Sequence, residues 1–129
     1  MKAFNHCKSS VKYFGGQELD YHKIHAWFDE SKDNFGDIRH RALRHHTLGV
    51  KWCEEKFGIT IENSDGSNVP VRSIAEQHIR EDLGFIPSVQ DWLKEIQPKS
   101  WMASTKKNIK KMNSNTNKFL VTPTSVNRI

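Results

Sequence analysis

The chain has almost no thiol chemistry. It holds two cysteines in 129 residues, Cys7 and Cys53, with no CxxC pair. That excludes a disulfide scaffold and a thiolate zinc ribbon. Long apolar runs are also missing. Nothing approaches the ~20 residues of a spanning helix, and the N-terminal MKAFNHCKSS has no apolar core of a signal peptide. No membrane partner is expected, and the expected compartment is the cytoplasm. Neither GxGxxG nor GxxxxGK[ST] occurs, so nothing supports a nucleotide cofactor. There is no HExxH and no tandem His-Asp dipeptide, which removes the zincin reading and leaves an HD-phosphohydrolase only as an analogy.

Acidic residues are absent from the last quarter. From residue 98 onward there are seven Lys or Arg and no Asp or Glu, which leaves 13 basic and 15 acidic residues in 1–97. The formal net charge of +5 therefore belongs to the tail. The chain divides by composition into a domain at 1–97 and a basic tail at 98–129. Lys106, Lys107, Lys110, Lys111 and Lys118 offer phosphate attraction, so nucleic acid or an acidic partner is the expected ligand of the tail.

What the domain does have is helical periodicity. Residues 37–57 contain no proline and one glycine, and read as one long helix. At 100° per residue, Ala42, Leu43, Gly49, Val50, Cys53 and Phe57 share a side, with His46 near its middle and Arg39 pointing the same way. His45 lies on the flank beside Trp52. His40, Arg44 and Lys51 fall on the polar side. Cys53 reads as a core thiol. Residues 9–14 form one weak helical segment before Gly15-Gly16. Residues 19–31 read as a helix, with His25 and Asp29 four apart at its apolar edge. Residues 59–72 alternate around a turn-rich Asn63-Ser64-Asp65-Gly66-Ser67-Asn68 and read as a small hairpin. That loop faintly resembles a calcium loop, but it lacks the carboxylate density and the closing Glu. Ser73 with Glu76 makes a capping box for a helix at 74–83, and Ser88 with Asp91 makes a second for a short helix. The expected fold is mainly α, a compact helical bundle with a small β-hairpin near 59–72.

On the helix at 74–83, His78 and Asp82 sit i, i+4 within the apolar arc. Inward His and Asp on facing helices are how bundles build metal sites. The candidate ligands are His46, His78, Asp82, His25 and Asp29. Arg39, Arg41 and His45 are the candidate anion- or substrate-binding groups. No cofactor is required by the sequence; a divalent transition metal is the one it accommodates, because imidazole and carboxylate together suit zinc, iron, manganese or nickel. The competing reading is a buried structural network of the same residues.

The combination Ile24-His25…Asp29, Arg39-His40-Arg41-Ala42-Leu43 with His45-His46, Ser64-Asp65-Gly66, Glu76-Gln77-His78…Glu81-Asp82-Leu83-Gly84, Ile86-Pro87 and Asp91-Trp92-Leu93 resembles a family of small phage and bacterial proteins of unknown function, over roughly residues 4–102. The resemblance singles out His25, Asp29, Arg39, His46, His78 and Asp82, and implies no mechanism. Two functions stand at this point. One is a small accessory or interaction protein in which the cluster is structural; the other is a metal-dependent hydrolase of the phosphoesterase kind. Whether the chain is an enzyme is left open.

Overall fold

A computed structural model describes residues 1–103 and 105. It is mostly helical with one two-stranded antiparallel sheet, as the periodicity predicts. The order is α1 (Ala3–Phe14), α2 (His22–Asp29), α3 (Thr47–Phe57), β1 (Thr60–Glu62), β2 (Asn68–Pro70), α4 (Val71–Leu83) and α5 (Val89–Leu93). Short 3-10 turns at Glu18–Asp20, Glu30–Asp33 and Ile38–Leu43 join them. All of this lies in one compact unit, Met1–Glu95. A second unit begins at Ile96, and its described part contains the 3-10 turn Ser100–Met102. Among the described residues no helix is long and apolar enough to cross a membrane. Lys106, Lys107, Lys110, Lys111 and Lys118 lie outside the described residues.

α1, α2 and α3 all pack on α4. The core they enclose includes Tyr21, Ile24, Phe28, Val50, Cys53, Val71, Ile74 and Ile79. Each such aliphatic or aromatic side chain stabilises by about 1.5–3 kcal/mol when fully buried. Cys7 and Cys53 are both fully buried, and burial raises their thiols to about 11 and about 12, so neither is a nucleophile.

Three expectations are corrected. The weak segment at 9–14 is the second half of a twelve-residue helix, α1, which carries His6 and Ser10 inward. The single helix expected at 37–57 is two pieces. A 3-10 turn ends at Leu43, the chain is extended at His46 (φ −162°, ψ 173°), and α3 begins at Thr47. Gly49 permits this break. A Cβ there would stand 1.7 Å from the carbonyl oxygen of Arg44, so only glycine lets residue 44 lie against the first turns of α3. Finally, Ser73 does not cap α4. The helix starts at Val71, directly from β2, with the Val71 amide donating to the Ile59 carbonyl (2.9 Å). The hairpin register, Ile61 opposite Val69, hands the chain to the helix with no room for a separate cap. The Ser88–Asp91 capping box does form, both halves present.

Candidate metal centre

Asp82 is the hub. Its carboxylate is inaccessible to solvent and lies among basic groups from four parts of the chain. His45 Nε2 lies 2.9 Å and His78 Nε2 3.2 Å from Oδ2. His6 Nε2 at 3.2 Å, the Met1 ammonium at 3.0 Å and Arg41 Nη2 at 3.7 Å surround Oδ1. Asp29 approaches from α2, with Oδ1 3.5 Å from His78 Nε2. Burial opposes the ionised form of Asp82, but the imidazoles of His45, His6 and His78 outweigh it and hold the carboxyl far below its ordinary range.

The proton positions follow from the partners. Gln77 Nε2 donates to the His6 carbonyl (2.9 Å) and to Glu81 Oε1 (3.0 Å), both acceptors, so the amide is fixed. Ser10 Oγ then faces two oxygens that only accept, Gln77 Oε1 (2.7 Å) and the His6 carbonyl (3.1 Å). Its proton goes to them, so its third neighbour, His25 Nε2 (2.7 Å), must donate. His25 is neutral; burial and the neighbouring His78 and His6 push its pKa down to about 2. Its Nδ1 is therefore a lone pair, and His78 Nδ1 donates to it (3.0 Å). That leaves His78 Nε2, in the neutral ring, as a lone pair directed between two carboxylates.

Lone pair facing carboxylate is repulsive, so a cation must sit between them, either a proton on Nε2 or an ion. Burial disfavours the proton, but Asp29 and Asp82 override it and raise the His78 pKa. The same contacts lower the carboxyl of Asp29 against its own burial penalty. Even so, His78 Nε2 makes no hydrogen bond. Asp29, His45, His78 and Asp82 each direct one ligating atom into a space where all four lie within 4.8 Å of one another. Around a tetrahedral ion with bonds of about 2.1 Å, ligand atoms stand about 3.4 Å apart. Three of the six pairs here, at 2.9, 3.2 and 3.5 Å, are near that size, and all lie within 4.8 Å. His45 is held neutral by burial, which lowers its pKa to about 4 despite Asp82; its Nε2 donates to Asp82 Oδ2 (2.9 Å), so the nitrogen ligates once that proton moves to the unpartnered Nδ1.

A second trio, His6, His25 and His78, also lies within ligating distance, but it is not a site. His25 and His78 meet edge to edge and spend their Nδ1 atoms on each other (3.0 Å), while His6 stacks on His78 at an interplanar angle of 29°. Lone pairs lie in the ring planes, so those of near-parallel rings do not converge on one point. The stack instead holds His78 between Phe28 (4.8 Å) and His6 (3.8 Å) and aims its Nε2.

Of the residues singled out by sequence, the structure brings together Asp29, His78 and Asp82, with His25 behind them. His25 is a positioning residue, since both of its ring nitrogens are used on Ser10 and His78. His46 is displaced from the set. Its Nδ1 accepts from the Gly49 amide (2.9 Å) and its Nε2 donates to the Leu43 carbonyl (3.1 Å), so no lone pair remains for an ion; it caps α3. Its neighbour His45 takes the place expected of it, through the break in the helix. Arg39 does not point inward; it pairs on the surface with Asp37 (2.8 Å) and lies over Phe35. Arg41 does reach the cluster. His40, placed by sequence on the polar face, is buried and meets Ser31 Oγ at 2.8 Å. Two residues were missed, His6 and Ser10. Their signal was the i, i+4 spacing His6–Ser10 in α1, obscured because the buried residues of that helix are His6, Cys7 and Ser10 rather than large apolar side chains.

Together these features define a small helical domain with a buried, incompletely paired His/Asp centre. A family model for a domain of unknown function (DUF6915) matches residues 1–102, and the chain belongs to that family. No curated protein and no solved structure matches it.

Proposed function

We propose that this domain binds a divalent transition-metal ion, with Asp29, His45, His78 and Asp82 as its ligands. The observation that carries the reading is His78 Nε2, buried without a hydrogen bond, aimed by the Gln77–Ser10–His25 relay and lying 3.2 Å and 3.5 Å from the carboxylates of Asp82 and Asp29. Buried polar atoms without partners are rare in folded proteins, and an ion between these groups satisfies them together. Two nitrogens and two carboxylate oxygens suit zinc, manganese, iron or nickel.

A second observation favours a hydrolytic role for that centre. Arg41 lies at its rim, one-fifth exposed, with its Nε buried and unpartnered. Its planar guanidinium matches a phosphate or carboxylate. A bound ion supplies Lewis acidity and lowers the pKa of coordinated water. The chain's own contribution is to orient His78 through His25, to hold Asp82 ionised, and to place Arg41 where an oxyanion would arrive. The accessory-protein reading keeps the same cluster as a purely structural network.

Elemental analysis of untagged protein after equilibration with zinc separates these readings. At least one zinc per chain is expected in the wild type and in His46→Ala, and its loss is expected in His78→Ala. His46→Ala costs about 1 kcal/mol as a lost helix cap and leaves the ion in place. No zinc in the wild type returns the cluster to a structural network.

A further inference from the structure

Among the four proposed ligands and the other basic groups around Asp82, most are shut off from water. The side chains of His6, His45, His78 and Asp82 are fully buried. Only the Met1 ammonium, Arg41 and Asp29 reach solvent, at 36%, 19% and 13% exposure. A molecule entering the centre from water meets these three first, and two of them are cations. The ammonium stands 3.0 Å and Arg41 Nη2 3.7 Å from Asp82 Oδ1. Both keep donors to spare. The ammonium donates to Asp82 Oδ1 and has two further protons. Arg41 Nη2 is beyond hydrogen-bond reach of that oxygen, and its Nε is buried without a partner. Lys32 is exposed and close enough to help hold Asp29 ionised, which extends the positive rim.

Charge balance then sets the class of ligand. Without an ion, the ammonium and guanidinium only offset the carboxylates of Asp29 and Asp82. One divalent ion among neutral imidazoles leaves the centre with two positive charges in excess. Excess charge in a place largely closed to water is costly, so a ligand with two negative charges fits best. A phosphate monoester is that dianion at neutral pH, with three acceptor oxygens; a carboxylate or a phosphodiester carries one charge. We propose that the ion-loaded centre selects a phosphate monoester over carboxylates and phosphodiesters, held by Arg41 and the Met1 ammonium; this rests on the ion site as read above.

Methyl phosphate and dimethyl phosphate are the probes, since they differ by one ester and one charge. Each is titrated calorimetrically at about pH 8, where the monoester is fully dianionic because its second pKa is about 6. The protein is wild type with its zinc content measured and free zinc removed. Methyl phosphate is expected to bind at least about tenfold more tightly than dimethyl phosphate, the worth of one charged hydrogen bond. Zinc-free wild type is expected to bind neither. Arg41→Gln is expected to keep its zinc and to bind methyl phosphate about tenfold more weakly. Equal binding of the two esters, or of neither, by wild type that holds zinc would overturn the selection and leave the ion site standing. Methyl phosphate binding that is unchanged without zinc would overturn the charge balance behind it. No zinc in the wild type would overturn both readings. The two esters on the wild type decide without relying on how well the variant folds.

Discussion

Two buried polar clusters sit in this small domain, and they differ in completeness. Around Asn63 every group has a partner. Its amide nitrogen donates to the Phe14 carbonyl and the Tyr21 hydroxyl, and its oxygen accepts from the amides of Asp65 and Ser67. The Tyr21 hydroxyl donates to the Gly15 carbonyl. Asp20 accepts from Gln17 and Ser64, and Asp65 from Gly16. The carboxylates of that turn are thus spent on backbone amides, which is why its faint likeness to a calcium loop leads nowhere. Around Asp82 the groups converge but do not close: His6 Nε2, His78 Nε2, His45 Nδ1, Asp29 Oδ2 and Arg41 Nε are buried without hydrogen bonds. A finished network ties the hairpin to α1 and the turn before α2. An unfinished one, built on α1, α2, α4 and the residues before α3, is the basis of the ion site proposed above.

The largest test of that contrast is Asp82→Ala. It leaves three imidazoles and Arg41 buried without their common counter-charge, and is expected to cost about 3–5 kcal/mol. Added zinc at a hundred times its dissociation constant is expected to stabilise the wild type by about 2.7 kcal/mol and the variant not at all. Urea melts with and without zinc measure both. Equal zinc responses in the two proteins would erase the distinction drawn here.

Asn63→Ala is the matching probe of the complete cluster. It removes the donor to the Phe14 carbonyl and the Tyr21 hydroxyl and the acceptor of two turn amides, at about 1–3 kcal/mol, and the loss should be the same with or without zinc. A zinc-dependent loss would mean that the two clusters are not independent.

Acid and base sharpen the comparison further. His25 and His45 have folded pKa values near 2 and 4, below the ordinary 6.5, so below pH 6.5 the unfolded chain binds more protons. Stability then falls as pH drops from 6.5 towards 4, with a slope of about 1.4 kcal/mol per pH unit for each of these protons. His78 has the opposite sign. Its pKa is raised, so its contribution is full below 6.5 and is lost as pH rises through its folded value. Zinc takes the place of that proton and is expected to abolish the alkaline decline. Urea midpoints against pH, with and without zinc, read the effect; an alkaline decline that persists with zinc would show that the ion does not replace the His78 proton.

Much of the fold was legible because its signals are local. The hairpin follows from alternation around a turn, and the Ser88–Asp91 cap from a spacing of three. His78 and Asp82 could be paired from sequence because an i, i+4 step on one helix brings any two side chains together. His45 and His46 could not be told apart that way. Periodicity assigned the inward role to His46 on the assumption of one continuous helix. The helix breaks where Arg44 lies against Gly49, and there the Trp92 indole nitrogen donates to the His45 carbonyl (2.9 Å), a contact made across the fold. Arg39 was misplaced by the same assumption, since a 3-10 turn rotates its residues differently from an α-helix.

By itself, then, the sequence determined the helical class, the hairpin and the one helix that carries His78 and Asp82. Those depend on neighbours within a few residues. Only the tertiary structure decided that His6, His45 and Asp29 meet that pair, that His46 does not, and that Nε2 of His78 faces two carboxylates. A tautomer is set by a chain of hydrogen bonds through Gln77, Ser10 and His25, whose members come from three helices. No spacing along one strand of sequence encodes that.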